Sequence, residues 1–210
     1  MRDPARVRCA GILLTGGASS RLGQDKAGLR LRPGGLTLAE TAAAALAGVA
    51  SPVVEIGPGR TALALGPEPP GRQGPLVALA AGLAVLAAGT GSEADGVLVL
   101  ACDMPFVSAG LLRWLAEHPS CGSVVPLAGD PLRPQPLCAR WSAGPLSIVA
   151  SLVAGGERSL RPLVAHEDVL LAEPAEWSPH AGPAGADALV DVDTPAQLSH
   201  VRALLARVGP

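Results

Sequence analysis

Residues 9–26 read CAGILLTGGASSRLGQDK, and the fold follows from the change of character halfway along this stretch. Cys9 to Leu14 form an unbroken apolar run stopped by a glycine pair, which reads as a short strand buried on both faces, as in a parallel sheet. From Thr15 the residues are small (Thr15, Gly16, Gly17, Ala18, Ser19, Ser20), so the backbone can approach a polyphosphate, and successive N–H groups can form an anion-binding nest. Arg21 and Lys26 add mobile cations for the phosphates. A plain glycine-rich turn between strand and helix explains the glycines equally well, but not both cations at those offsets. The stretch contains neither G-x-x-x-x-G-K-[ST] nor G-x-G-x-x-G, so two familiar phosphate-binding loops are set aside.

Working outward, strands and helices alternate. The spacing predicts a helix over 38–49, a strand over Val53–Ile56, a Pro-rich exposed loop over 66–73, and a helix over 74–88 with Pro75 in its first turn. The clearest central parallel strand is GVLVL, 96–100, leading straight into Ala101-Cys102-Asp103-Met104-Pro105. Ser108 is a suitable N-cap for a helix over Ala109–Glu117. Further strands are expected near 123–126, 136–139 and Val169–Ala172, and helical patterns around 145–154 and 160–165. A last strand over 188–192 and a helix from Pro195 to Val208 complete the pattern. The order argues an α/β fold with a three-layer, mostly parallel sheet, formed by residues 1–210 as one domain.

Composition narrows the partners. A net charge of −2 leaves no basic footprint for nucleic acid, so a substrate's negative charge has to be met locally, by a few cations or a metal. Cys9, Cys102, Cys121 and Cys138 are scattered with no C-x-x-C pair, and the histidines at 118, 166, 180 and 200 supply no zinc cluster; four reduced thiols of a cytoplasmic protein are expected. The N-terminal apolar run leads into the glycine-rich loop, unlike a signal peptide. Residues 73–92 are uncharged, yet Leu76, Leu79, Leu83 and Leu86 recur along one helical face, which predicts a buried helix, with no membrane partner.

Two carboxylate positions carry chemistry. Ligands of open α/β sheets bind beyond the C-terminal strand ends, where Asp103 stands on the same edge as the first loop. Asp103 there either holds Mg²⁺, which takes oxygen ligands and bridges to substrate phosphates, or caps the helix after Pro105. Asp191 and Asp193 follow a later strand; two residues apart, they would share a face and could point to one site. Asp193 also suits the start of the last helix, ahead of Thr194-Pro195.

Taken in order, four stretches resemble the molybdenum cofactor guanylyltransferase family. TGGASSRLGQDKA is similar to its L-A-G-G-x-S-x-R-M-G-x-D-K, Gly74-Pro75-Leu76 to its G-P-L-A-G, CDMPF (102–106) to its C-D-x-P-F, and DVDTP (191–195) to its closing D/N-x-D/N-T-P. Arg133-Pro134-Gln135-Pro136-Leu137 resembles its Q-P-L segment. The resemblance implies a Rossmann-like nucleotidyltransferase fold and transfer of GMP from GTP, or of a nucleotide from another NTP, to the terminal phosphate of a molybdopterin-type acceptor. It implies Mg²⁺ as cofactor and cofactor-delivery proteins as candidate partners. By position, Leu14, Thr15, Gly16, Gly17, Gly74 and Pro75 would meet the nucleotide, Lys26 and Arg21 its phosphates, Asp103 and Asp193 the metal, and Gln135, Asp191, Asp193 and Thr194 the acceptor.

The sequence departs from the family at the nucleoside side. Thr15 stands for the common Ala, Val77-Ala78 for Ala-Gly, and Ile56-Gly57-Pro58 and Gly66-Pro67-Glu68 where the family has an Asn and an Asp. Glu68 is a candidate substitute for that Asp. A cytidylyltransferase of the same cofactor, a nucleotidyltransferase for another phosphorylated metabolite, and a nucleotide-binding module without turnover stay open. Arg158 and Arg161 read either as acceptor-phosphate ligands or as solvated residues at a helix start.

Overall fold

The computed structural model of the chain describes residues 8–16, 22–71, 73–89 and 94–208. Arg21 and Gly17, named above for the nucleotide, lie outside the described residues. Strand β1 (Cys9–Leu14) pairs in parallel with β2 (Val53–Ile56) on one side and β4 (Gly96–Ala101) on the other, and β3 (Ala64–Gly66) adds a parallel edge to β2. Beyond β4 the sheet turns antiparallel: β7 (Cys138–Trp141) pairs against β4, and β5 (Ser123–Ala128) against β7. β6 (Arg133–Pro134) and β8 (Val169–Ala172) both pair with β5, completing an eight-stranded sheet.

Alternation along the strands builds the three layers. Cys9 and Leu13 of β1 and Leu98 and Leu100 of β4 face one way, against α1 (Leu38–Ala47) and α3 (Ala109–Glu117). Ala10, Ile12 and Leu14, with Val97 and Val99, face the other way, against α2 (Pro75–Ala88). Each large side chain so buried contributes about 1.5–3 kcal/mol relative to exposure. Trp141 and Trp177 are fully buried, and their indole N–H groups donate to the carbonyls of Pro136 and Leu127, so neither leaves a polar atom unsatisfied. Arg140 gathers the carbonyls of Ala116, His118, Ser120 and Gly122 around one buried guanidinium, tying the end of α3 to β7.

The helix ends match their sequence signals. Thr37 and Glu40 close a capping box on α1, and Ser108 Oγ accepts from Leu111 N–H at the start of α3. Helix α2 spans 14 residues, and among the described residues no helix is long and apolar enough to cross a membrane.

Several expectations are corrected. Residues 188–192 are not a strand: a 3₁₀ segment, Gly182–Leu189, runs into an extended stretch whose Val192 N–H donates to the carbonyl of Asp103 instead of a ladder partner. The pattern at 188–192 is apolar because Ala188, Leu189 and Val192 are buried under the last helix and beside α3, which burial alone cannot distinguish from a strand. The strand expected at 136–139 begins at Cys138 and reaches Trp141, with Arg140 inside it. The helical pattern at 145–154 is two short helices, α4 (Ala143–Ser147) and α5 (Val149–Ala154), and that at 160–165 is one turn, α6 (Arg161–Val164). Another short helix, α7 (Pro174–Trp177), precedes the 3₁₀ segments, and α8 (Pro195–Val208) closes the chain by packing Leu198 and Val201 on Leu22 and Leu38.

Candidate functional site

A cleft of about 740 Å³ opens at the C-terminal ends of β1 and β4. Leu14, Thr15, Gly16 and Lys26 line it from the first loop, Gly74 and Pro75 from the start of α2, Asp103 from the end of β4, and Glu68 from the Pro-rich loop. The N-terminus of α2, whose helix dipole favours anions, opens onto the same space as Lys26; Pro75 carries no N–H there, and the Leu76 N–H donates to the carbonyl of Arg158.

Lys26 is the focus. Its Nζ donates to Asp103 Oδ2 at 2.8 Å and to Asp193 Oδ1 at 2.5 Å, and its side chain is only 16% exposed. Burial opposes the ammonium, but the two carboxylates, Asp103 first, outweigh it and hold the Lys26 pKa above that of an ordinary lysine. Neighbours take the capping role that was the alternative for each aspartate. Ser108 takes the cap of α3, so the Asp103 carboxylate is spared for the cleft. Thr194 takes the cap of α8, its Oγ accepting from Gln197 N–H, so Asp193 also turns to Lys26.

Gln197 organises the remainder of this turn. Its Oε1 accepts from Asp193 N–H and Thr194 Oγ, and its Nε2 donates to Asp191 Oδ1 at 2.5 Å. Burial, then the charges of Asp193 and Asp103, push the Asp191 carboxyl above the usual range. Asp191 and Asp193 thus sit close to one site, through a capping turn instead of the shared strand face that the sequence suggested.

Thr15 and Gly16 depart from the nest expected of them: both N–H groups point to the carbonyl of Ile56. The Thr15 hydroxyl donates to Glu55, a fully buried carboxylate that sequence reasoning passed over. Burial works against its charge, yet the N–H of Arg60, the hydroxyls of Thr15 and Thr61 and the N–H of Thr61 hold the Glu55 carboxyl below the usual range. Its one legible signal is an acid inside the apolar strand VVEI. Gln135 turns away, its Nε2 donating to the carbonyl of Arg133; Leu137 is the residue of that segment that lines the cleft. Arg158 donates to the carbonyls of Val153 and Glu157, a local cap on α5.

Gly74 marks where the cleft wall leaves no room. It has φ +84°, and a Cβ there would lie 2.6 Å from the carbonyl oxygen of Arg158. Gly74→Ala is expected to destabilise the protein by about 1–3 kcal/mol, seen as a lower denaturant midpoint at unchanged m-value.

The three buried thiols are not poised for chemistry. Burial pushes Cys102 and Cys138 up to about 12 and Cys9 to about 11, and Cys121 is exposed and unpaired. Among the described residues no three His, Cys, Asp or Glu side chains form a protein-only metal cage. Two carboxylate oxygens, from Asp103 and Asp193, converge on the Lys26 ammonium.

Residues 11–172 match the model of the MobA-like NTP transferase domain. Over 211 residues the chain is 31% identical to a probable molybdenum cofactor guanylyltransferase of Chloroflexus aggregans, covering 96% of this chain and 97% of that protein. A protein of the same description from Mycolicibacterium paratuberculosis is 35% identical over 171 residues, 77% of this chain and 83% of that one. Among solved structures, molybdopterin-guanine dinucleotide biosynthesis protein A from Archaeoglobus fulgidus superposes with a TM-score of 0.71 at 18% identity, covering 94% of this chain and 99% of its own. The 2-C-methyl-D-erythritol 4-phosphate cytidylyltransferase of Thermus thermophilus gives 0.60 at 22% identity, over 94% and 99%. At such identities the two structures bear on the fold alone.

Proposed function

This chain belongs to the MobA-like NTP transferase family and is a nucleotidyltransferase, and from that premise we propose that it transfers GMP from GTP to the terminal phosphate of a molybdopterin acceptor, releasing pyrophosphate. The observation that carries the reading is Lys26 held between Asp103 and Asp193 at the mouth of the nucleotide-sized cleft. Residues 1–210 are read as one such domain, since α8 packs its apolar face on Leu22 and Leu38 at the edge of the site.

The chemistry is governed by charge. An anionic phosphate attacks an anionic α-phosphorus, so repulsion is the barrier and preset cations lower it. Lys26 offers a permanently protonated ammonium to the phosphates, and the start of α2 adds its dipole. Asp103 and Asp193 are the residues that would hold Mg²⁺, which when bound neutralises charge on the α-phosphate and the leaving pyrophosphate. The attacking phosphate is already deprotonated at neutral pH and needs no base. Asp191 and Thr194, on the Asp193 side, are assigned to the acceptor, as is Gln135 if its side chain swings from the Arg133 carbonyl.

Guanine is favoured by Glu68. Its Oε1 would meet a Cβ on Gly16 at 2.6 Å, so its carboxylate stands directly over the first loop. Guanine presents adjacent N–H donors on its pairing edge, which a carboxylate can accept together. The absence of an amide side chain in Ile56-Gly57-Pro58 favours a second reading, cytidylyl transfer to the same acceptor. Pyrophosphate release is measured with each of the four NTPs, Mg²⁺ and molybdopterin. GTP is expected to lead in kcat/KM by about tenfold or more, equal to ~1.4 kcal/mol of discrimination. A lead for CTP establishes the second reading, and no turnover with any NTP overturns both.

A further inference from the structure

Glu55 is the only acidic residue buried among the described residues, and it is 0% exposed on a strand whose other members are Val53, Val54 and Ile56. Its Oε1 accepts from Thr15 Oγ at 2.5 Å and from Arg60 N–H at 2.7 Å; its Oε2 accepts from Thr61 N–H at 2.9 Å and Thr61 Oγ at 2.6 Å. All four partners donate, so the place calls for a side chain that only accepts, which among uncharged residues of this shape does not exist.

The same segment holds the glycine-rich loop at its other end. Arg60 pairs with Asp25 at 2.6 Å, and Asp25 also accepts from Ala27 N–H at 3.1 Å, bracketing Lys26. At the start of the loop, the Thr15 and Gly16 N–H groups bind the Ile56 carbonyl. Gly57 permits this approach, because a Cβ on it would strike the Thr15 hydroxyl and lie 2.6 Å from the Gly16 nitrogen. Residues 55–61 therefore grip the loop at Thr15–Gly16 and again at Asp25.

We propose that Glu55 is a positioning residue: through Thr15, and together with the Arg60–Asp25 pair, it locks the turn after β2 onto both ends of the glycine-rich loop, so the nucleotide wall of the cleft is preformed before the NTP arrives. The proposal rests on the nucleotidyltransferase reading of the cleft. Its signature is in binding, not chemistry. Glu55 touches neither Asp103 nor Lys26, so its loss weakens the NTP complex and leaves the transfer step and the acceptor's KM in place.

The test measures the Kd of GTP by calorimetry without acceptor, alongside KM and kcat in the full assay. Glu55→Gln keeps an oxygen for one pair of donors and sets an amide N–H against the other. It is expected to raise Kd and KM about tenfold (~1.4 kcal/mol) with kcat within about twofold. Thr15→Val should match it and add nothing to Glu55→Gln, because the two act as one unit. Arg60 and Asp25 are each 46% exposed, so Arg60→Ala keeps its melting temperature and raises Kd about two- to threefold, as an exposed pair does. Should Glu55→Gln fail to fold, the Thr15 and Arg60 variants carry the test.

Unchanged GTP affinity in the Thr15→Val and Arg60→Ala variants overturns the proposal, as does a fall in kcat at constant KM. A parent protein that binds none of the four NTPs overturns the transferase reading itself, an outcome distinct from a parent that binds GTP and variants that bind it equally well.

Discussion

Asp103→Asn is expected to lower kcat/KM for the NTP by about 10²–10³-fold, the loss typical of removing one preset electrostatic group from a transition state. The substitution keeps the shape of the side chain and removes its charge. The main-chain role of the residue survives, because its carbonyl still accepts from Val192 N–H at 2.9 Å. Lys26 keeps Asp193, and the Asp103 side chain is 21% exposed, so the melting temperature should fall by no more than a partly solvated ion pair explains, about 1 kcal/mol or less. If Asp103 holds the metal, the remaining activity will require a higher Mg²⁺ concentration than the parent does. Steady-state rates across a Mg²⁺ titration decide the matter; activity within threefold of the parent at every concentration removes Asp103 from the chemistry.

Lys26→Ala is the second large effect, and it has two sides. Turnover should fall by about 10²–10³-fold, because the phosphates lose a preset cation. The free protein, in contrast, should bind a divalent ion more tightly. Asp103 and Asp193 converge on Lys26 Nζ at 2.8 and 2.5 Å, and removing that ammonium leaves more negative charge facing the ion. Mn²⁺ binding without nucleotide reads this directly, and weaker binding in the variant would mean that Lys26 holds the carboxylates in place. The pH dependence has a definite sign. The folded pKa of Lys26 is raised, so the stability it contributes is fully present below the ordinary lysine value of about 10.4 and fades only as pH rises through the higher folded value. Between pH 6 and 9, on the order of the usual assay range, the stability difference between parent and variant should not change through Lys26.

How far the molecule could be read from its residues depends on the range of the interactions. β1 and β4 are legible because a strand covered on both faces must be apolar throughout, and CAGILL and GVLVL are. Asp103 is legible because it follows such a strand almost directly, and Lys26 because it ends the glycine-rich stretch after one. The antiparallel half of the sheet is not, since CARW and SVVPLA carry nothing that states the direction of their partners. A shared strand face would bring Asp193 beside Asp191, while the molecule positions it through a helix cap built by Thr194 and Gln197. Glu55 was missed because its meaning lies in Thr15, Arg60 and Thr61, and a lone acid in a strand ordinarily marks a solvated face.

The ammonium at the cleft is joined to partners 77 and 167 positions along the chain. During synthesis, Lys26 and Asp103 leave the ribosome well before Asp193. A nascent or truncated polypeptide ending at Ala172, where the match to the family model stops, would hold Lys26 and Asp103 but lack Asp193. The cluster around Lys26 is therefore complete only once the segment carrying Asp193 has docked.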